Sequence, residues 1–278
     1  AYGARGDGTA DDTASIRKAL DAAGAAGGGT VFLPYGTYRV TAPLTVPEGV
    51  ELRGVMGTGQ IRLWFEPCTL MIDWTPEAGA DPFDAHAAVS LEACAGVRGL
   101  TISHAVNIWE TDADGRLVIT PTSYAVRALG TGTYVQDVTL SNAYLGLDFG
   151  SARCDGFQVK DLWATALREG IRVGGGTRGG AMEIVTVDFG PWHNWKRLPD
   201  AAEKGVRSAY NRWIQDHLDL FVFEDCSGIH GFSLAGFYPK RHLILRRGAG
   251  GGAPEGLRLW MSMFDVSRDE SILVRAGD

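Results

Sequence analysis

Along most of the chain, apolar and polar residues alternate in short runs, and turn-forming residues close many of these runs. A period of two marks β-strands that bury one face. Four segments share one form: VRGLTISHA (97–105), VQDVTLSNA (135–143), VKDLWATAL (159–167) and AMEIVTVDF (181–189), with a poorer copy, IHGFSLAGF, at 229–237. Gly or an acid stands third, and aliphatics stand first or second and fourth. The starts are separated by 38, 24, 22 and 48 residues. A second alternating run accompanies each copy: AVSLEAC (88–94), YLGLDFG (144–150), EGIRVGG (169–175) and LDLFVFEDC (218–226). Two strands per 22 to 24 residues predict an all-β chain, a single-stranded right-handed parallel β-helix whose coils stack about 4.8 Å apart. A sandwich or an up-and-down barrel explains the alternation but not the recurring pair.

The pattern breaks in three places. Ile16, Ala19, Leu20 and Ala23 fall at i, i+3, i+4 and i+7, one apolar stripe of a helix with Asp12 or Thr13 as its N-cap. Such a helix would cover the open strand edges of the first coil. The two longest units carry extra segments, 106–123 and 190–217, which leave the coil at the same position. As loops on one side they would form a groove wall holding Trp109, Trp192, Trp195 and Trp213, four of the eight tryptophans. The last strand-like run, 270–278, has no cap after it, so either further residues follow or a neighbouring chain covers the edge, as in a trimer.

Composition narrows the function. A length of 278 residues with one recurring unit fits a single domain over 1–278, with 1–40 as cap and first strands. A net charge of −7 without a dense basic stripe argues against nucleic acid, and the lack of any long apolar run argues against a membrane span. The first residues show no leader, so the chain reads as a processed or trimmed product. Cys68, Cys94, Cys154 and Cys226 have no C-x-x-C spacing and are expected to be buried free thiols. No two histidines stand at i, i+4, and Lys18 occupies the place of an EF-hand's last ligand, so neither zinc nor an EF-hand calcium loop is expected.

Residues 2–40 carry a denser signature: Gly3-Ala4, Gly6-Asp7-Gly8, Asp11-Asp12-Thr13, Gly27 to Gly29 and Pro34-Tyr35-Gly36-Thr37-Tyr38. This stretch resembles the start of pectate-lyase-superfamily proteins with a pectin-lyase-like β-helix. The resemblance implies that fold, an N-terminal capping helix and a secreted or periplasmic location. It leaves the activity open, since the fold carries lyases, glycoside hydrolases, epimerases and phage tailspikes.

A polysaccharide-acting β-helix needs carboxylates in a groove and aromatic faces for sugar rings. The catalytic candidates are Asp188, which aligns with His104, Asn142 and Ala166; Asp216 and Asp219, where the second long segment re-enters the coil; and Glu169, one coil from His217 or Asp219. Asp148 and Arg172 share a place in adjacent coils and read as an outward ion pair. Substrate-binding candidates are Trp109, Trp192, His193, Trp195, Trp213, Lys196 and Arg172. The favoured expectation is a glycoside hydrolase acting on a poly- or oligosaccharide without cofactor. A lyase that eliminates beside a uronate, assisted by calcium, comes second. A non-catalytic glycan-binding or tailspike-like protein is the third reading.

Overall fold

The computed structural model describes residues 2–55, 68–107, 110–188, 200–265 and 267–275. Among the described residues the named strands pair in parallel, and all nineteen belong to one continuous sheet wound into coils. Helices are few, so the chain is all-β.

Each coil contributes to three faces. The first face holds β4 (Leu44–Val46), β7 (Val89–Leu91), β10 (Tyr124–Ala128), the last part of β11 (Tyr134–Phe149) and of β12 (Phe157–Val173), β14 (Asp219–Glu224), β16 (Arg241–Arg246) and β19 (Ile272–Arg275). The second holds β2 (Gly29–Phe32), β5 (Val50–Arg53), β8 (Gly96–Arg98), the starts of β11, β12, β13 (Thr177–Val187) and β15 (Cys226–Phe237), and β17 (Arg258–Trp260). The third runs from β1 (Asp7–Asp11) through β3 (Gly36–Val40), β6 (Cys68–Ile72) and β9 (Thr101–His104) to β18 (Met263–Asp265). Inward side chains stack in columns: Val31, Leu52, Val97, Val135, Val159 and Met182 are successive partners, and all are buried. Packing like residues on like at each coil explains why the sequence repeats.

Between the second and third faces the chain turns through one residue of positive φ. Asp137, Asp161, Ile184, Ser233 and Met261 take this conformation in successive coils. This turn corrects the repeat frame. Glu183 pairs with Lys160 and Met182 with Val159, so AMEIVTVDF lies one residue out of the register read from sequence. An isoleucine standing where other coils place aspartate disguised the turn.

Helix α1 (Thr13–Ala25) lies against β2, β4 and β5, burying Ile16 and Leu20. Asp12 is its N-cap residue, but its carboxylate does not cap: it accepts the Arg5 and Gly6 amides at 2.7 and 3.0 Å. Asp11 does the capping, accepting from the Thr13 amide and hydroxyl.

Two expectations change. The segment 190–217 is not all loop: helix α2 (Asp200–His217) packs on β12, burying Ala209, Tyr210 and Ile214. Cys94 is exposed, unlike the buried Cys68, Cys154 and Cys226, whose thiols burial pushes up to about 12. A thiol-specific chromogenic reagent should therefore titrate one cysteine in the native protein and four in denaturant. Rapid reaction of two or more native thiols would contradict this packing.

Candidate active site

Long segments leave the coil at the turn from the third face to the first. Two are those read from sequence, and a third, 73–88, joins β6 to β7. Asn142 fixes the root of one: it accepts the His104 amide at 2.7 Å and donates to the His104 and Val106 carbonyls at 2.8 Å. Asn107 then staples the two limbs of that segment, exchanging hydrogen bonds with Thr120. Arg212 of α2 donates to the Gly115 carbonyl at 3.0 Å, so the two insertions meet.

These segments border a ladder of charge on the first face. Arg127 donates to Asp148 at 2.7 Å, and Asp148 is fully buried, also accepting the Gly150 amide at 2.8 Å. Asp148 and Arg172 are register partners, as read from sequence, but Arg172 bonds onward to Glu224 at 2.6 Å rather than back to Asp148. Glu224 also accepts Arg246 at 2.7 Å. Asp219 is clamped by Arg241 through two bonds of 2.8 Å, with Arg168 at 3.5 Å.

Glu169 sits within this ladder, 4% exposed, as the register partner of Asp219. The Tyr124 hydroxyl donates to its Oε1. Burial lifts the Glu169 carboxyl to about 7, against the Tyr124 hydrogen bond and the Arg172 and Arg246 charges that pull it down. Phe83, from the third segment, packs edge-on to Tyr124 at 6.2 Å and lies beneath the Arg168 guanidinium at 5.8 Å. Arg127 holds this segment down by donating to the Phe83 and Ala85 carbonyls. The result is a buried carboxyl under the charges of Arg172 and Arg246, in a ladder whose other arginines, Arg127, Arg168 and Arg241, lie on Asp148 and Asp219.

The other candidates have separate places. Asp188 lies across the turn beside Thr165, accepting Trp163 Nε1–H at 2.9 Å. It is offset from the alignment with Ala166 by the same one-residue frame error. Asp216 is exposed on the last turn of α2 and pairs with Arg268. Trp213 is half-buried: it donates to the Leu167 carbonyl at 2.9 Å and stacks on His217 at 3.9 Å, which pins α2 to the coil rather than offering an open sugar platform. Trp109, Trp192, His193, Trp195 and Lys196 lie outside the described residues. Sequence reasoning missed Tyr124, Arg127 and Phe83. The dense turn residues Pro76, Gly79 and Pro82 were the available sign of the third segment.

Calcium does not fit this ladder. Asp148, Asp219 and Glu224 are each engaged by a guanidinium, and among the described residues no group of three His, Cys, Asp or Glu is disposed to hold a metal.

Comparison with known proteins agrees with the sequence signature. Residues 1–61 match the family model described as rhamnogalacturonase A/epimerase, pectate lyase-like. A 70-residue stretch is 53% identical to mannuronan C5-epimerase AlgE4 of Azotobacter vinelandii, covering 22% of this chain and 13% of that protein. An 82-residue stretch is 62% identical to alginate lyase 7 of the same organism, covering 26% and 10%. The matched stretches thus span about a tenth of these relatives' length. Among solved structures, the A-module of mannuronan C-5 epimerase AlgE6 from Azotobacter vinelandii superposes with a TM-score of 0.60 at 21% identity, covering 99% of this chain and 65% of that one. That likeness concerns the fold, a β-helix of the pectate-lyase-like type.

Proposed function

We propose that this chain is a carbohydrate-active enzyme that modifies a uronate-bearing polysaccharide on the first face, with Glu169 as the proton-transferring group. The coil is right-handed in this reading, the hand parallel crossovers overwhelmingly take, and α1 is its cap. The observation that carries the proposal is the buried carboxyl of Glu169, lifted to about 7, which accepts the Tyr124 hydroxyl and lies under the charges of Arg172 and Arg246.

A proton on the sugar carbon beside a carboxylate is weakly acidic, because its removal places two negative charges on one small group. Guanidiniums aimed at that carboxylate stabilise the developing charge. Arg168, Arg172 and Arg246 are only partly covered, and in this reading each keeps its carboxylate partner while its open edge meets a bound uronate. Ionised Glu169 takes the C5 proton, and the C–H electron pair moves toward the arginine-held carboxylate. Collapse with expulsion of the O4-linked sugar, which takes up a proton, leaves a C4–C5 double bond. Return of a proton to the opposite side of C5 inverts that centre instead. Tyr124 is a positioning residue, fixing the Glu169 rotamer, and the Phe83 segment moves aside as the polymer enters. The relatives' names, epimerase and alginate lyase, support this pair of outcomes.

Hydrolysis by paired carboxylates is the second reading, favoured by Glu169 and Asp219 facing each other one coil apart. It ranks lower because both Asp219 oxygens are held by Arg241, leaving neither free to act as nucleophile.

Incubation of the protein with polymannuronate and polygalacturonate in heavy water separates these outcomes. The proposal expects deuterium at C5 where that centre is inverted, or ultraviolet absorbance from a product with no hydrogen at C5 where elimination follows. New reducing ends with neither signal would establish the hydrolase, and no product of any kind would overturn both.

A further inference from the structure

Glu169 is only 4% exposed, and the Tyr124 ring whose hydroxyl it accepts is fully covered. A sugar C–H reaches that carboxyl only if something over it moves. The cover comes from the segment 73–88. Its roots are fixed, since Trp74 packs on the core and Ala87 and Ala88 are buried. Its tip is a compact turn built on Asp81, whose carboxylate accepts the Phe83 amide at 2.9 Å and whose carbonyl accepts the Asp84 and Ala85 amides. Gly79, with a φ of +86° and open space where a side chain would stand, precedes this turn and lets the tip pivot as a unit.

Arg127 and the Phe83 ring fasten the tip to the stack. Arg127 donates to the Phe83 and Ala85 carbonyls and is itself locked on the buried Asp148. The ring lies between Tyr124 and the Arg168 guanidinium, with Tyr144 packed in the same cluster. This second fastening is the attraction of a cation for an aromatic face, so it lasts only while the cation keeps its charge unanswered.

Arg168 differs from the other arginines of the ladder. Arg172 turns its Nε–Nη2 edge to Glu224, and Arg241 turns the same edge to Asp219. Arg127 and Arg246 spend Nε–H on Asp148 and Glu224. Arg168 donates through Nη1 alone, to the His217 carbonyl at 3.0 Å and to Asp219 at 3.5 Å. Among the described residues its Nε–Nη2 edge meets no acceptor, and its side chain is 33% exposed.

A carboxylate matches that edge, because it can take two parallel N–H bonds from it. It also answers the charge that holds the Phe83 ring. The sugar that bears it must lie against Glu169, in the space the ring now fills over Tyr124. A uronate therefore weakens the fastening as it takes its place. A neutral sugar competes for the same space with the fastening at full strength.

We propose that the Phe83 tip is a gate over Glu169, and that Arg168 is the specificity-determining residue that releases it for a carboxylate-bearing sugar. This gate rests on the reading of Glu169 as the centre of a uronate site.

Its motion can be followed apart from turnover. 4-Fluorophenylalanine is placed at position 83 of the full chain carrying E169Q, and its fluorine resonance is recorded in light and heavy water. The difference between the two solvents reports how far the ring meets water. Hexasaccharides of mannuronate and galacturonate are added, and then the same sugars with their carboxyls reduced to alcohols. A uronate should raise the solvent effect severalfold, and the reduced sugars should leave it unchanged. R168Q, shown to be folded by circular dichroism, should abolish the response. With Glu169 intact, F83A should raise kcat/KM for a uronate trisaccharide severalfold by removing the opening step, and R168Q should lower it about a hundredfold. A fluorine signal that ignores uronate, in a protein whose parent turns uronate over, would overturn the gate and spare the reaction. An equal response to the reduced sugars would overturn the role of Arg168. A response to uronate without any turnover by the parent would leave the gate standing and remove the reaction. Neither response nor turnover would remove both.

Discussion

E169Q is expected to lower turnover of a uronate polymer by roughly a thousandfold while the protein remains folded. Glutamine keeps the shape of the side chain and a carbonyl oxygen for the Tyr124 hydroxyl, which now donates to Oε1. It cannot accept or release the proton. The rate should also lose the limb of its pH profile that lies near 7 in the wild type. Stability supplies a second readout whose sign is fixed by linkage. The Glu169 carboxyl ionises near 4.5 in the unfolded chain and near 7 in the folded one, so the folded state holds the proton more tightly between those values. Its contribution is present below about 4.5 and is lost as the pH rises through about 7, amounting to on the order of 3 kcal/mol. Urea unfolding at pH 5 and pH 8 should show that loss in the wild type, and E169Q should reduce it. A variant with wild-type turnover and an unchanged pH profile would remove Glu169 from the chemistry.

The largest stability effect should come from Asp148→Ala. Asp148 is wholly buried and binds the side chain of Arg127, itself nearly covered, along with the Gly150 and Ser151 amides. Removing it strands a guanidinium in a dry site, a change that costs about 3–5 kcal/mol. For a domain of this size that corresponds to a fall in melting temperature of about 10 °C. The same loss frees Arg127 from the geometry in which it grips the Phe83 and Ala85 carbonyls, so the segment over Glu169 should become more susceptible to proteases. R268A offers the contrast, since the pair it breaks with Asp216 is exposed and worth under about 1 kcal/mol. A destabilisation by Asp148→Ala no larger than that of R268A would show the ladder to be slack.

Much of this architecture is written locally. Alternation gives the strands, the Ile16 and Leu20 stripe gives α1, and the acids before it mark the start of the coil. That Glu169 stands one coil from His217 or Asp219 was also readable, and Asp219 is the partner because EGIRV and DLFVF share one pattern of inward residues. The frame of the fourth repeat was not, since a left-handed turn is recognisable at Asp137 and Asp161 but not at Ile184 or Met261, where neighbouring coils rather than local preference impose it. Helix α2 was hidden because its buried Ala209, Tyr210 and Ile214 stand among many polar residues. Tyr124 and Arg127 were missed for a different reason. Their partners lie 45 and 21 residues away, and only the stacking of coils brings them together.

The long segments all depart from one corner of the coil, whereas the charged ladder is carried by the strands themselves. Each coil is held chiefly by the coils above and below it, so lengthening or exchanging a segment at that corner leaves every strand partnership intact. The molecule therefore divides its inheritance in two. The face that carries Glu169 is tied to the register of the whole stack. The segments at the corner can be recut one at a time without rebuilding that face.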